Sequence, residues 1–211
     1  MTRRFFQGLM LSPVLSAAYR IKQTTGRPQI VDDAGKVVEN PALIAVPLLE
    51  RHEYADVFDP EVEEQIRRKC SSAAKSSAEF VAYTFTAIPP WTRAWTDWFR
   101  ALPTDSPGKQ QYVLFLKETY KYSIGDVNKT YGIDSTSFTD LGQFNWKEAK
   151  LDAERPRADD EEFLGWIAQS LFGPAAEALR KADSKHLILG QQFGPDTPKA
   201  VLQASAKALG L

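Results

Sequence analysis

The sequence predicts an α/β fold of parallel strands joined by crossover helices, and three observations carry that expectation. Short apolar runs of strand length occur at 41–49, 79–88 and 186–193. Between them, apolar residues recur at helical spacing. Strand, helix, strand, helices, strand, helix is the order that right-handed crossovers impose on parallel strands.

Composition narrows the classes of function. The 211 residues carry 26 Lys and Arg against 27 Asp and Glu, a net charge of -1. A general polyanion binder needs a basic excess, so nucleic acid is not an expected partner. Hydrophobic residues at 43% and charged residues at 25% exclude wholesale disorder. One cysteine, Cys70, excludes an intramolecular disulfide framework and a thiolate zinc cluster. No apolar run approaches the roughly 20 residues of a membrane span.

The chain opens with Arg3 and Arg4 before the stretch 5–18, which ends in Ser16-Ala17-Ala18. Two readings stay open. Residues 1–18 form a signal peptide, placing the protein outside the cytoplasm, or Phe5, Phe6, Leu9 and Leu15 pack a lead-in onto the domain of a cytoplasmic protein. Residues 1–40 are read as this lead-in and 41–211 as the domain. Within the lead-in, Asp32-Asp33-Ala34-Gly35 marks a turn between short extended pieces.

Each later element has its own signal. The continuous run 41–49 suits a strand covered on both faces. Asp59-Pro60 is an N-cap acceptor with proline at the first helical position. Glu61, Glu63 and Glu64 then fill the first turn, Arg67, Arg68 and Lys69 close the helix, and Val62, Ile66 and Cys70 form its buried stripe. A linker at 71–77 leads to the second strand, 79–88, which Pro89-Pro90 ends. Trp91, Trp95 and Trp98 have helical spacing. Ser106-Pro107 starts a helix with Tyr112, Phe115 and Leu116 inside, and Gly132 stops a shorter one containing Ile124, Val127 and Tyr131. Residues 133–158 read as a connection with a short helix at 137–141. Asp159 and Glu162 form a capping pair for a long amphipathic helix that Gly173-Pro174 kinks or breaks. The third strand, 186–193, and a last helix, 198–209, complete the chain. A whole (β/α)8 barrel needs eight strands and about 250 residues, more than these three strands supply, so the chain is either a small open sheet or a piece of something larger.

Several segments together resemble one family. They are Tyr54-Ala55-Asp56-Val57-Phe58-Asp59-Pro60 before an acidic helix, Val81-Ala82-Tyr83-Thr84-Phe85-Thr86-Ala87-Ile88-Pro89-Pro90-Trp91, and Ala182-Asp183-Ser184-Lys185-His186-Leu187-Ile188-Leu189-Gly190. Asp126-Val127-Asn128-Lys129-Thr130-Tyr131-Gly132 and Ser137-Phe138-Thr139-Asp140-Leu141 add to the likeness. In this order they resemble the central section of (β/α)8-barrel glycoside hydrolases, agarase-like and β-galactosidase-like, that act on polysaccharides. The resemblance runs from about 41 to 205. It implies that 41–49, 79–86 and 186–193 are the third, fourth and fifth strands of a partial TIM barrel, with two strands expected before this chain and three after it.

The resemblance also implies a chemical departure. Retaining glycosidases need two carboxylates about 5–5.5 Å apart. In the family the acid/base is a glutamate after the fourth strand, in an Asn-Glu pair; here Ala87 and Ile88 stand there. The nucleophile belongs to a late strand that this chain does not contain. No catalytic residue is therefore assigned, and the expectation is a glycoside-hydrolase-like protein, truncated or catalytically impaired. The alternatives are a non-catalytic carbohydrate-binding remnant and a structural fragment that assembles with other barrel pieces, self-associating through exposed strand edges.

The expected partner is an oligosaccharide or polysaccharide, and its candidate contacts are Asp56, Tyr83, Trp91, Arg93, Trp95 and Gln192. Indole faces stack on sugars, a guanidinium forks two hydroxyls, and side-chain amides donate and accept. Tyr83, Trp91 and Trp95 are expected to cluster beyond the second strand with Arg93 among them, although the tryptophans equally fit a core stripe. One of Gln191 and Gln192 should face the site. Asp56 suits a sugar hydroxyl or a loop amide. Asp59 is an N-cap, Asp97, three residues before Arg100, is a solvated or helix-paired charge, and Asp159-Asp160-Glu161-Glu162 is helix-start acidity rather than a metal site. His52 and His186 lack metal-ligand spacing, with His186 at the strand end opposite the site. Neither a metal nor a cofactor is expected.

Overall fold

The computed structural model describes residues 19–22, 29–50, 53–75 and 80–210. The signal-peptide reading of 1–18 and the position of His52 lie outside them.

Strands β1 (Tyr19–Lys22) and β2 (Gln29–Asp32) pair antiparallel in a small sheet of their own. The expected turn follows β2: Gly35 takes φ +81°, its N–H bonds the Asp32 carbonyl, and Val37 bridges back to Val31.

The second sheet holds β3 (Leu43–Pro47), β4 (Ala82–Thr86) and β5 (Leu187–Gln191), parallel and in that order. Each strand is shorter than the apolar run that announced it, because the ends of the runs enter the turns. Between Tyr83 and Phe85 the pairing with β5 slips by a bulge. Gly190, at φ +72°, absorbs the bulge, and Thr84 Oγ1 donates to its carbonyl at 2.9 Å.

Alternation along the strands separates the two faces. Ile44, Val46, Tyr83, Phe85 and Ile188 turn to the helices and join the core. Leu43, Ala45, Pro47, Thr84, Thr86, Leu187 and Leu189 turn the other way, and Leu43 is 44% exposed. The run 41–49 suggested burial on both faces; among the described residues only the helix side is covered.

Helix α1 (Pro60–Ala73) is capped as expected, with Asp59 accepting from the Glu61 N–H at 2.8 Å and Ile66 and Cys70 fully buried. It runs further than its basic cluster suggested. Arg67 and Arg68 lie mid-helix, each bonded at 2.9 Å to the glutamate four residues earlier, so they pair along the helix rather than cap its end. Part of the supposed 71–77 linker is the last turn.

Between β4 and β5 the chain builds α2 (Ala94–Ala101), α3 (Pro107–Thr119), α4 (Ile124–Tyr131), α5 (Phe138–Gln143), a 3-10 turn at Trp146–Glu148 and α6 (Glu154–Ala182). Ser106, Ser123 and Ser137 cap α3, α4 and α5 through their hydroxyls, and Gly132 ends α4 at φ +65°. Helix α7 (Lys199–Leu209) follows β5 and packs along α6.

Two expectations about α6 are corrected. The helix starts at Glu154, so Asp159 and Glu162 are not its capping pair; Pro156 sits in the first turn, where its missing N–H costs nothing. Nor does Pro174 break it. Leu171, Phe172, Ala175 and Ala176 are fully buried on both sides of the proline, and that packing holds the 29-residue helix together.

Candidate functional site

In parallel α/β folds the carboxyl ends of the strands carry the chemistry. Here those ends lead into Leu48-Leu49-Glu50, Ala87-Ile88 and Gln192. Leu48, Leu49 and Ile88 are 1%, 4% and 5% exposed and belong to the core. Ala87 takes φ +59°, a left-handed backbone that a side-chain-bearing residue adopts only when its surroundings impose it. Glu50 was not singled out from the sequence, although it directly follows an apolar run at the chemically favoured end. Its carboxylate meets Lys69 Nζ at 2.7 Å.

The predicted contacts do not all come together. Tyr83 lies inside β4 rather than beyond it, and its hydroxyl donates to Asp183 Oδ2 at 2.7 Å. Asp183 precedes β5, so this ring belongs to the amino end of the sheet, away from Trp91. Tyr83 and Trp95 have no exposed surface. Trp91 and Trp95 do stack, with centroids 5.6 Å apart and planes at 17°, but Trp91 is 7% exposed and joins the same core. Its indole N–H donates to Gln191 Oε1 at 2.8 Å. That bond occupies Gln191 and leaves Gln192 as the exposed amide.

Arg93 sits just before α2, bonded to Asp152 at 2.6 Å and 3.4 Å from carboxylates of both Asp97 and Asp160. Asp56 turns inward to the chain. Its Oδ1 accepts from the Phe58 N–H at 3.1 Å and its Oδ2 from the Gly108 N–H at 2.8 Å. Burial raises its carboxyl above the usual range, against the pull of those two bonds. Of its two expected partners, the loop amide is the one present.

His186 lies at the amino end of β5, as its position in the run implied. Its ring stacks on Phe80 at 3.9 Å and its Nδ1 is 2.7 Å from Asp183 Oδ2. Burial pushes the Cys70 thiol up to about 12, which leaves it an unreactive core group. Among the described residues no cluster of His, Cys, Asp or Glu has the arrangement to hold a metal ion, and no helix is long and apolar enough to cross a membrane.

No protein-family model matches the chain, and no curated protein matches it by sequence. Solved structures do match it in fold. PfGH50B superposes with a TM-score of 0.68 at 20% identity, over 80% of this chain and 28% of its own. An exo-β-agarase gives 0.67 at 20% identity, over 84% and 27%. The agarase AgWH50C gives 0.66 at 20% identity, over 80% and 27%. The chain has the fold of one part of the agarase barrel. It spans under a third of the length of each of these three chains.

Within this agarase-like fold a buried polar assembly extends well beyond the Asp97–Arg100 pairing that the sequence suggested. Arg100, 4% exposed, pairs with the buried Asp160 and with Asp97 at 2.9 Å, and donates to Tyr112 Oη at 2.8 Å. Lys109 is also buried and donates to the Arg100 carbonyl. Burial and the neighbouring guanidinium push its ammonium down to about 8. Asp159 accepts from Tyr120 and Tyr131 at 2.6 and 2.8 Å and pairs with Arg155 at 2.8 Å. The run Asp159-Asp160-Glu161-Glu162 is thus not helix-start acidity. Its first two residues point into the protein and lock α6 to α2, α3 and α4, and its last two stay exposed. The signal that was available is Pro156, which marks the true first turn and puts Asp159 and Asp160 one turn inside.

Proposed function

We propose that the protein is a glycoside-hydrolase-like barrel wall that engages neutral polysaccharide of the agarose type and does not cleave it through its own residues. The observation that carries this reading is the make-up of the strand ends. Where a retaining glycosidase needs a free carboxylic acid, Ile88 packs into the core. The acids nearest in sequence to the strand ends are engaged: Glu50 by Lys69 and Asp56 by two backbone amides. Agarose-type chains are proposed because agarases are among the proteins sharing the fold. Gln192 and Arg93 are the proposed contacts at the strand ends, since both retain exposed surface.

The uncovered sheet face favours a complementary reading, in which the wall works together with further barrel strands. On that face Leu43 is exposed, Leu187 and Leu189 are half-buried, and none of the three joins the described core, whereas parallel sheets ordinarily have both faces covered. Retention on agarose beads, with cellulose as the control, tests the primary reading. Specific retention that soluble agarose oligosaccharides reverse is expected. Flow-through identical on both matrices would contradict it.

A further inference from the structure

In the helical layer, α3, α6 and α7, with Phe58 from the loop after β3, border an open groove of about 630 Å³, within the range small-molecule sites occupy. Its floor is made of small residues. Gly165 approaches α7 so closely that a Cβ there would lie 3.2 Å from the Ala200 Cβ, and Ala204 follows on the same helix. Two aromatic rings, Trp166 and Phe58, line it, each half-buried. The Trp166 ring is fixed edge-on against Phe115, with centroids 5.5 Å apart.

The polar lining is unusual in kind. It consists of the Gln111, Gln169 and Gln203 amides and the Ser170 hydroxyl, drawn from all three helices. None of these four side chains has a hydrogen-bond partner among the described residues. Formal charge cancels, with one carboxylate, Glu162, and one ammonium, Lys207.

We propose that this groove, whose lining includes neither Arg93 nor Gln192, is a binding site for a neutral oligosaccharide. Vicinal sugar hydroxyls both donate and accept, which suits planar amides that do the same. The C–H face of a pyranose suits an aromatic wall. An anion or a cation would find no net charge to recognise it, and a small-residue floor lets a flat ring settle against the helices. The inference rests on the reading that the protein engages neutral polysaccharide, and it adds a set of contacts distinct from Arg93 and Gln192.

Titration calorimetry with agarohexaose, using the 211-residue chain and its Gln169→Ala/Gln203→Ala variant, tests it. Both positions are on the protein surface, and unfolding midpoints confirm that the variant folds; Gln111→Ala, on a different helix, provides an independent second variant. Saturable binding by the unaltered chain, weakened about tenfold in the double variant and reduced in Gln111→Ala, is the expected result. Binding unchanged in both variants overturns the groove assignment while leaving the polysaccharide reading intact. Tighter binding of an acidic oligogalacturonate also overturns it. No saturable binding of agarohexaose at about 10 mM overturns both.

Discussion

Gly108 donates its backbone N–H to Oδ2 of Asp56 at 2.8 Å, across 52 positions of sequence. The bond ties the loop after β3 to the first turn of α3, where unpaired N–H groups favour an anionic acceptor. Asp56 therefore holds two parts of the fold together, whatever else it touches.

Replacing it should cost stability before it costs binding. Asp56→Ala removes acceptors from both Gly108 and Phe58 and is expected to destabilise by about 2 kcal/mol, with Asp56→Asn costing less. Gly108→Ala should cost about 1–3 kcal/mol, because a Cβ there collides with the Phe99 ring and the Asp56 carboxylate. Urea denaturation measures all three. Stability unchanged in Asp56→Ala would return this acid to the list of free groups.

The Arg100–Asp160 pair allows a sharper test. Both side chains are buried, so removing one leaves the other with a single, less buried counter-charge: Arg93 at 3.4 Å for Asp160, or Asp97 at 2.9 Å for Arg100. Arg100→Leu is expected to cost about 3–5 kcal/mol, and Arg100→Leu/Asp160→Leu to recover a large part of the loss. Equal destabilisation by the single and double variants would show that the pair is not coupled as its geometry requires.

Much of this architecture was legible in the sequence. Asp59-Pro60, Ser106-Pro107 and Gly132 each mark a helix boundary through a purely local rule, and the structure places all three where the rule does. The three parallel strands were legible as apolar runs for the same reason. The start of α6 was not, because Asp159 and Glu162 imitate a capping box while Asp159 is in fact held by Tyr120 and Tyr131 from other helices. The one local clue is Pro156, which belongs in a first turn and so puts Asp159 one turn inside the helix. Tyr83 illustrates the same limit at the site: its place in a strand was readable, but its partner, Asp183, lies 100 residues away. Gln111, Gln169 and Gln203 meet only once α3, α6 and α7 have packed.

Asp183 gives the pH dependence. Burial works to raise its carboxyl, but bonds from Tyr83, the Lys185 N–H and His186 outweigh that and hold it below the usual carboxylate range. A depressed acid contributes stability that is present above its unfolded value, about 3.8, and is lost as pH falls through the lower folded value. Acid titrations of unfolding free energy should therefore show a steeper fall below about pH 4 in the unaltered chain than in Asp183→Asn. Tyr83→Phe should cost about 1 kcal/mol at neutral pH. Superimposable acid limbs for the unaltered chain and Asp183→Asn would remove Asp183 from the acid response.

The most direct measurement is release of reducing ends from agarose and agarohexaose by the 211-residue chain, with Glu50→Gln and Asp56→Ala assayed beside it. Acid and nucleophile act as a unit, and losing either typically costs orders of magnitude in rate. With Ile88 buried at the end of β4, and with Glu50 and Asp56 both engaged by the protein, no release above background is expected while binding to the same saccharides persists. Sustained turnover that Glu50→Gln abolishes would contradict the non-cleaving reading and identify a catalytic carboxylate at the end of β3.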